Sequence, residues 1–252
     1  MIWSGWRGRW GWLTLLVLVP ARAAEYAGVL EWSQRAELAL PISGVVETVE
    51  VSPGQTVPSG QVLLRLDLTP FKAQVAELRA EVDRHAEELA DAKRELDRAQ
   101  ELYARTVTST TELDAAKLRH ARAAAGLAAA QARLERSRWQ LAQAELRAPF
   151  DAVVLARRAE PGMAVAAQCQ PPALVSLARA DEILARVHLG SRQASAIRPG
   201  MRAEVAVAGT THVGVVRGVT HAGGGETPYT VDVIIPRKDG LVAGLPAAVR
   251  LP

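Results

Sequence analysis

Two long stretches of the chain carry mostly apolar residues at steps that alternate between three and four. A strict period of 3.5 residues is typical of α-helices that pack against each other in a left-handed coiled coil. We call these positions the seam. Its members are Phe71, Val75, Leu78, Val82, His85, Leu89, Ala92, Leu96, Ala99 and Tyr103 in the first stretch, and Leu113, Ala116, His120, Ala123, Leu127, Ala130, Leu134, Ser137, Leu141 and Ala144 in the second.

The two stretches are separated by residues 106–111, which are rich in β-branched and hydroxyl side chains that disfavour a helix. Because the arms on either side have nearly equal length, an antiparallel helical hairpin is favoured over one long helix. Thr69 as N-cap and Pro70 at the first helical position predict its start. Pro149 predicts its end, since the residue before a proline avoids helical angles. The hairpin is therefore assigned to residues 69–147.

Short strands flank the hairpin, and their order is repeated on its two sides. Residues 44–66 predict two strands joined by proline- and glycine-containing turns, and residues 152–177 repeat that order. The economical interpretation is one small β-sandwich made of two halves, 41–68 and 148–181, with the hairpin inserted between them. The glycines assigned to structural turns of this sandwich are Gly44, Gly54, Gly60 and Gly162.

The remaining segments also predict β-structure. Residues 182–252 contain several short strands at close spacing, each bordered by glycine or proline, which is typical of a small β-barrel. Residues 24–40 predict one or two further strands, which are assigned to the barrel.

The first 23 residues have the pattern of a signal peptide. Arg7 and Arg9 precede a short apolar core, and small residues at 21 and 23 fit a cleavage site after Ala23. Export to a bacterial periplasm follows from this interpretation, and an uncleaved membrane anchor is the alternative. The single Cys169 excludes an internal disulfide.

The charge pattern and the candidate chemical groups exclude several functions. A formal net charge of +3, without a basic patch interleaved with aromatic residues, does not favour nucleic-acid binding. His85 and His120 lie on the seam, where a polar residue more often sets register than binds metal. His212 and His221 have no evident third ligand. No nucleophile–base pair is suggested, so we expect no catalytic residues, no metal and no cofactor.

The order of these segments resembles one family, the periplasmic adaptor subunits (membrane fusion proteins, HlyD-like) of RND-type tripartite efflux pumps. The phrases that carry the resemblance are Ser43-Gly44-Val45-Val46, Pro53-Gly54-Gln55-Thr56-Val57, Ser59-Gly60-Gln61-Val62-Leu63, Leu66-Asp67, Arg147-Ala148-Pro149-Phe150-Asp151 and Ile197-Arg198-Pro199-Gly200-Met201-Arg202-Ala203. The resemblance implies a mixed α and β fold that is elongated. It consists of an antiparallel coiled-coil hairpin inserted into a lipoyl-like β-sandwich, followed by a small β-barrel, with the membrane-proximal domain truncated or absent.

The resemblance also implies a function. Such a protein would bridge an inner-membrane exporter to a TolC-type outer-membrane channel, support export of small molecules, and assemble into a ring of six copies. Adaptors of RND pumps carry an Arg, a Leu four residues later and a Ser seven residues beyond that at the hairpin tip. Arg98, Leu102 and Ser109 have this spacing, and they are the candidate channel-binding residues.

Alternatives exist for each of these residues and for the function. Ser109 with Glu112 predicts a capping box for the second helix. Arg98 can pair with Glu95, and Leu102 can cover the loop. The other functions are an adaptor of an ABC exporter or type I secretion system, a coiled-coil scaffold without a pump, and a lipoyl or biotinyl carrier. The carrier is disfavoured because both sandwich halves lack the acceptor lysine.

Overall fold

The computed structural model describes residues 24–168, 171–221, 229–238 and 240–251. The signal-peptide prediction for residues 1–23 and the prediction on Cys169 lie outside these residues. Contacts divide the chain into two compact units, one built around residues 31–184 and the other around residues 185–235. Within the described residues, no helix combines the length and the apolar character that a membrane crossing requires.

Fourteen strands and three helices are formed by the described residues. In chain order they are β1 Glu25–Trp32, β2 Arg35–Leu38, β3 Gly44–Val49, β4 Thr56–Val57, β5 Val62–Leu66, α1 Thr69–Ala104, α2 Thr110–Gln143, β6 Glu145–Arg147, β7 Ala152–Arg157, β8 Ala164–Val165, β9 Val175–Arg179, β10 Glu182–Leu189, α3 Ser191–Ala194, β11 Arg202–Val207, β12 Thr210–His221, β13 Tyr229–Pro236 and β14 Pro246–Arg250.

The helical hairpin is confirmed, and its seam is covered along nearly its whole length. Every seam position is buried or half-buried except Tyr103. Two ion pairs between the helices show that α1 and α2 are antiparallel: Glu95–Arg119 at 2.6 Å and Glu81–Arg133 at 2.8 Å. Moving fourteen residues back along α1, from 95 to 81, corresponds to moving fourteen residues forward along α2, from 119 to 133. Fourteen residues are two heptads, so the register of the coiled coil is maintained.

Both ends of the hairpin differ from the sequence-based expectation. Leu68, not Thr69, is the N-cap residue of α1, and it makes no side-chain cap. The Thr69 amide instead donates to Asp67 Oδ1 at 2.9 Å, and this hydrogen bond lowers the pKa of Asp67. At the other end α2 stops at Gln143, and residues 145–147 form β6 because they pair with β5.

The sandwich consists of two four-stranded sheets, and each sheet draws strands from both sides of the hairpin. One sheet has the order β2-β9-β7-β4 and the other has the order β6-β5-β3-β8. The two halves therefore share one core, which is filled by fully buried residues including Leu64, Leu66, Leu174 and Leu177. The Leu66 amide donates to the Ala144 carbonyl at 2.9 Å, so the two ends of the hairpin leave the sandwich side by side. This arrangement confirms the insertion.

Three of the four glycines assigned to turns have left-handed backbone angles. The φ values are +86° at Gly54, +81° at Gly60 and +84° at Gly162, a region that favours glycine. Gly44 is different and corrects the turn assignment, because it is the first residue of β3. A Cβ at Gly44 would lie 2.9 Å from Leu66 Cδ1, so packing against the core leaves no room for a side chain.

The second unit contains a closed barrel with the strand order β1-β10-β13-β12-β11-β14, as the sequence predicts. The N-terminal strand β1 pairs with β14, in the register Glu25↔Arg250 to Val29↔Pro246. The next strand does not join the barrel as expected. β2 pairs with β9, from Arg35↔Ala178 to Leu38↔Val175, and belongs to the sandwich.

Candidate functional site: the hairpin tip

The tip of the hairpin is a five-residue connection, 105–109, between α1 and α2. Helix α1 ends in a Schellman motif. The Thr106 amide donates to the Tyr103 carbonyl at 2.9 Å, and the Val107 amide donates to the Leu102 carbonyl at 3.0 Å. These bonds satisfy carbonyls that the end of a helix would otherwise leave without partners. The start of the connection is therefore tied by backbone hydrogen bonds to the last turn of α1.

Thr106 has φ +62°, the left-handed conformation that closes this motif. Glycine is the usual residue at this position because a Cβ is crowded there, and β-branched residues are among the least suited. A non-glycine residue in this region costs about 1–3 kcal/mol. The tip therefore stores strain at one residue.

Ser109 opens helix α2 as its N-cap. Its Oγ accepts a hydrogen bond from the Glu112 amide at 3.3 Å. The Glu112 carboxylate accepts from the Thr108 hydroxyl. Ser109 therefore caps the helix as the sequence predicts, while the return contact of the capping box comes from Thr108.

Three apolar side chains are exposed around the tip. Leu102 is 38% exposed, Tyr103 is 42% exposed and Val107 is 69% exposed. Leu102 and Tyr103 lie in the last turn of α1, and the first buried layer of α2 is at Leu113. Tyr103 continues the seam pattern but is not covered, because the neighbouring end of α2 consists of threonines. The sequence pattern does not single out Val107, because a β-branched residue between two helices indicates only poor helix propensity.

Arg98 lies one turn before Leu102 on α1 and is exposed. The proposed pair with Glu95 is not formed, because the Glu95 carboxylate binds Arg119 of α2. Within the described part of the chain, Arg98 makes neither an ion pair nor a side-chain hydrogen bond. Its guanidinium therefore remains available next to an exposed leucine.

His85 lies on the seam of the hairpin and contacts both helices. His85 Nδ1 is 2.9 Å from Glu88 Oε2, and the imidazole ring lies over Gly126 of α2. A Cβ at Gly126 would approach His85 Nδ1 to 3.3 Å, so the glycine makes room for the ring. Among the described residues, no group of three or more His, Cys, Asp or Glu side chains is arranged to hold a metal ion.

The chain is similar in sequence to known proteins. A family model described as the CzcB-like, barrel-sandwich hybrid domain matches residues 34–171. The uncharacterized protein YdhJ of Escherichia coli (strain K12) is 36% identical over 110 residues, which cover 43% of this chain and 38% of that protein. The matched region is thus well under half of that relative's length.

Solved structures have the same fold at low sequence identity. The membrane fusion protein Spr0693 from Streptococcus pneumoniae R6 aligns with a TM-score of 0.72 and 13% identity, over 91% of this chain and 99% of that one. A MacA–MexA chimera that contains the Pseudomonas aeruginosa MexA α-hairpin domain aligns with a TM-score of 0.67 and 17% identity, over 90% of this chain and 80% of that one.

The family model covers 138 of the 252 residues, from 34 to 171, and this region includes the first half of the sandwich, the whole hairpin and strands β6 to β8. The chain therefore belongs to the family of proteins with a CzcB-like, barrel-sandwich hybrid domain.

Proposed function

We propose that this chain is a periplasmic adaptor of a tripartite efflux system, which links an inner-membrane exporter to a TolC-type outer-membrane channel. The likeness in fold to the membrane fusion protein Spr0693 supports an adaptor rather than an enzyme. The exposed apolar tip is the observation that supports the outer-membrane contact. Apolar groups at the end farthest from the sandwich core do not stabilise the hairpin itself. A partner that covers these groups gains binding free energy, because the contact removes them from water.

The channel contact is formed by Arg98, Leu102 and Ser109, and Val107 extends the apolar part of this surface. Leu102 and Val107 are held next to each other by the Schellman motif, so little conformational entropy is lost when a partner binds. The free guanidinium of Arg98 supplies a donor for carboxylates or backbone carbonyls of the channel.

An RND-type exporter is the proposed inner-membrane partner, and the Arg–Leu–Ser spacing supports it. The chain acts in the periplasm, its signal peptide is removed after Ala23, and six copies form a ring. An ABC exporter is the competing partner. Co-purification of the chain from membranes that contain either the RND or the ABC transporter of its own organism distinguishes the two: capture with the ABC transporter alone would refute the RND assignment.

The tip assignment is tested by the Leu102→Asp substitution. The side chain is exposed, so we expect the protein to keep its helical content and unfolding temperature. Capture of the purified TolC-type channel of the same organism on immobilised protein should fall on the order of tenfold or more, because a charge replaces an apolar contact at the centre of the interface.

Gln100→Asp is the matched control for this substitution. Gln100 is exposed in the same part of α1, and the variant introduces the same charge without removing an apolar group. We expect Gln100→Asp to retain channel capture. Equal capture by the Leu102→Asp variant and the native protein would refute the tip assignment, and equal loss in both variants would show that charge alone is responsible.

A further inference from the structure

A cleft opens between the two helices of the hairpin, on the part of the hairpin nearer to the sandwich. Its volume is about 310 Å³, which is at the lower end of the range for small-molecule sites, about 300–1,000 Å³. The side chains that line it are Gln74 and Leu78 of α1 and Arg133, Arg136, Ser137 and Gln140 of α2. Leu78 lies 24 residues before Leu102, so the cleft is about 36 Å from the tip along α1.

The cleft lies where the seam contains a small polar residue, Ser137. Leu134 and Leu141 are the neighbouring seam positions of α2. A serine side chain is shorter than a leucine, so it leaves space between the helices that a larger apolar residue would fill. A gap in the seam is therefore placed beside a polar group.

The Ser137 hydroxyl lies in this gap without a partner. Ser137 is 3% exposed, yet its side chain makes no hydrogen bond within the described part of the chain. A buried hydroxyl is normally hydrogen-bonded, because the loss of its water partners costs free energy. Since Ser137 lines the cleft, a molecule that enters the cleft can supply the missing partner.

The cleft is positively charged. Two of the lining side chains are arginines, Arg133 and Arg136, and none of them is acidic. The Arg133 guanidinium is held by Glu81 of α1 at 2.8 Å. Arg136 is exposed and makes neither an ion pair nor a side-chain hydrogen bond with the residues that the structure describes. A guanidinium without a carboxylate partner, next to a buried hydroxyl, is suited to bind a phosphate or carboxylate group.

Two amide side chains line the same cleft at the same height on opposite helices. The Glu81–Arg133 pair aligns the helices, so residue 140, seven after 133, is level with residue 74, seven before 81. The side chains of Gln74 and Gln140 make no hydrogen bond with other described residues. An amide both donates and accepts, as the hydroxyl groups of a polyol require. Leu78 adds an apolar surface for carbon atoms.

We propose that this cleft binds a small anionic polyol, a molecule that carries a phosphate or carboxylate group and several hydroxyls. The anionic group lies between Arg136 and Ser137, and the hydroxyls bond to the amides of Gln74 and Gln140. This site goes beyond the adaptor function proposed above, and it does not depend on the tip residues or on either membrane partner.

Isothermal titration calorimetry of the purified protein tests the ligand class. Glucose 1-phosphate or glucuronate should bind saturably, one molecule per chain, with a dissociation constant of about 0.1–1 mM. Glucose should bind at least about tenfold more weakly, because it has no charge for Arg136. Inorganic phosphate should bind at least about fivefold more weakly, because it has no polyol hydroxyls for the glutamines.

Each probe can also overturn the proposal. Glucose that binds as tightly as both of its anionic derivatives would overturn the assignment of the charge. Inorganic phosphate that binds as tightly as glucose 1-phosphate would overturn the assignment of the polyol. Saturable binding of neither anion up to about 20 mM would overturn the site as a whole.

Substitutions test which residues form the site. Arg136→Gln should weaken the binding of the preferred anion at least about tenfold, and Ser137→Ala should weaken it about three- to tenfold. Arg122→Gln is the matched control. Arg122 is exposed, lies two heptads before Arg136 on the same face of α2, and makes no ion pair among the described residues. An equal loss in Arg122→Gln would show that overall charge is responsible and would overturn the proposal.

Thermal unfolding separates ligand binding by Ser137 from a role in packing. Because its hydroxyl has no partner in the free chain, Ser137→Ala without ligand should unfold at the same temperature as the native protein or higher, with unchanged helical circular dichroism. Ligand at ten times its dissociation constant should raise the unfolding temperature of the native protein by about 2–4 °C, and that of the variant by less. A free variant that unfolds at a lower temperature would show a structural role for the hydroxyl and overturn its assignment to the ligand.

Discussion

Thr106 shows how a single residue limits the stability of the hairpin tip. Its left-handed conformation is required by the bonds that close α1, yet a β-branched side chain is poorly suited to it. Thr106→Gly should therefore raise the free energy of unfolding by about 1 kcal/mol, since relief of strain exceeds the extra freedom that glycine gives the unfolded chain. Urea unfolding followed by circular dichroism measures this change.

Thr111→Gly is the comparison for this prediction. Thr111 is in the first turn of α2, where glycine brings no relief and lowers helix propensity, so this variant should be slightly less stable than the native protein. A loss of stability in both variants would show that Thr106 is not strained.

The two roles assigned to Ser109 can be separated by substitution. Ser109→Ala removes the cap on Glu112 and should lower the free energy of unfolding by about 1 kcal/mol. Ser109→Asn retains a capping oxygen and should leave stability nearly unchanged. Channel capture by the Asn variant then reports on docking alone. Native-like stability of Ser109→Ala would contradict the capping role.

At the scale of the helices, burial along the seam decides which leucines hold the hairpin together. Leu134 is 6% exposed and packs against α1, whereas Leu118 of the same helix faces outward. Leu134→Asp should lower the free energy of unfolding by about 3–5 kcal/mol, because it creates a cavity and buries an unpaired charge. Thermal unfolding in dilute solution measures the loss.

Leu118→Asp makes the same chemical change on the exposed face and should leave the melting temperature of the dilute protein unchanged. Similar destabilisation by both substitutions would mean that Leu118 is covered within a single copy of the chain.

The junction between the hairpin and the sandwich contains the carboxylate of Glu145, whose negative charge stabilises the folded chain. Burial raises the pKa of Glu145, but hydrogen bonds from Arg147 and Arg65 outweigh this effect and hold the pKa below its usual 4.5. A lowered pKa in the folded state means that the stabilisation is complete above pH 4.5 and is lost as the pH falls through the folded-state value. The native protein should therefore lose stability below about pH 4.5.

Glu145→Gln should be less stable than the native protein at pH 7, and its stability should change less on acidification. Urea midpoints at pH 7 and in the acid range give both quantities. Glu47→Gln, an exposed change on β3 at a residue with no ion pair among those described, serves as the control. An unchanged acid dependence in Glu145→Gln would rule out this carboxylate as its source.

At the scale of the molecule, the sandwich does not need the hairpin to close its core. Strands β5 and β6 pair directly, from Val62↔Arg147 to Arg65↔Glu145, so the two halves meet beside the hairpin base. Replacing residues 70–143 by a short Gly/Ser loop should therefore leave a cooperatively folding β-protein. Its melting temperature should fall by several degrees because Phe71, which packs against the core, is lost.

Far-ultraviolet circular dichroism and a thermal scan check this prediction. Nearly all of the helical signal should vanish, since α3 is the remaining described helix and has four residues. The shortened protein should not capture the channel. An unfolded product would show that the hairpin contributes to sandwich folding.

Features that depend on periodic burial can be predicted from the amino-acid sequence alone. The seam, from Phe71 to Ala144, predicted which faces of the two helices meet. Apolar residues at a period of 3.5 lie on one face of a helix, and they are buried when two such faces pack against each other. The repeated strand pattern predicted a split sandwich for a similar reason. The candidate residues Arg98, Leu102 and Ser109 came from spacing and resemblance, and they remain proposals.

Other features depend on which neighbour a residue meets in the folded chain, and they are visible only in the structure. The pairing of β2 with β9 assigned this strand to the sandwich, and the approach of Leu66 explained Gly44. Glu95 pairs with Arg119, so Arg98 has no ion pair among the described residues. The hydrogen bonds that close α1 place Thr106 in a strained conformation. Such choices arise between groups far apart in the chain, so their energies are set only when the fold brings the groups together.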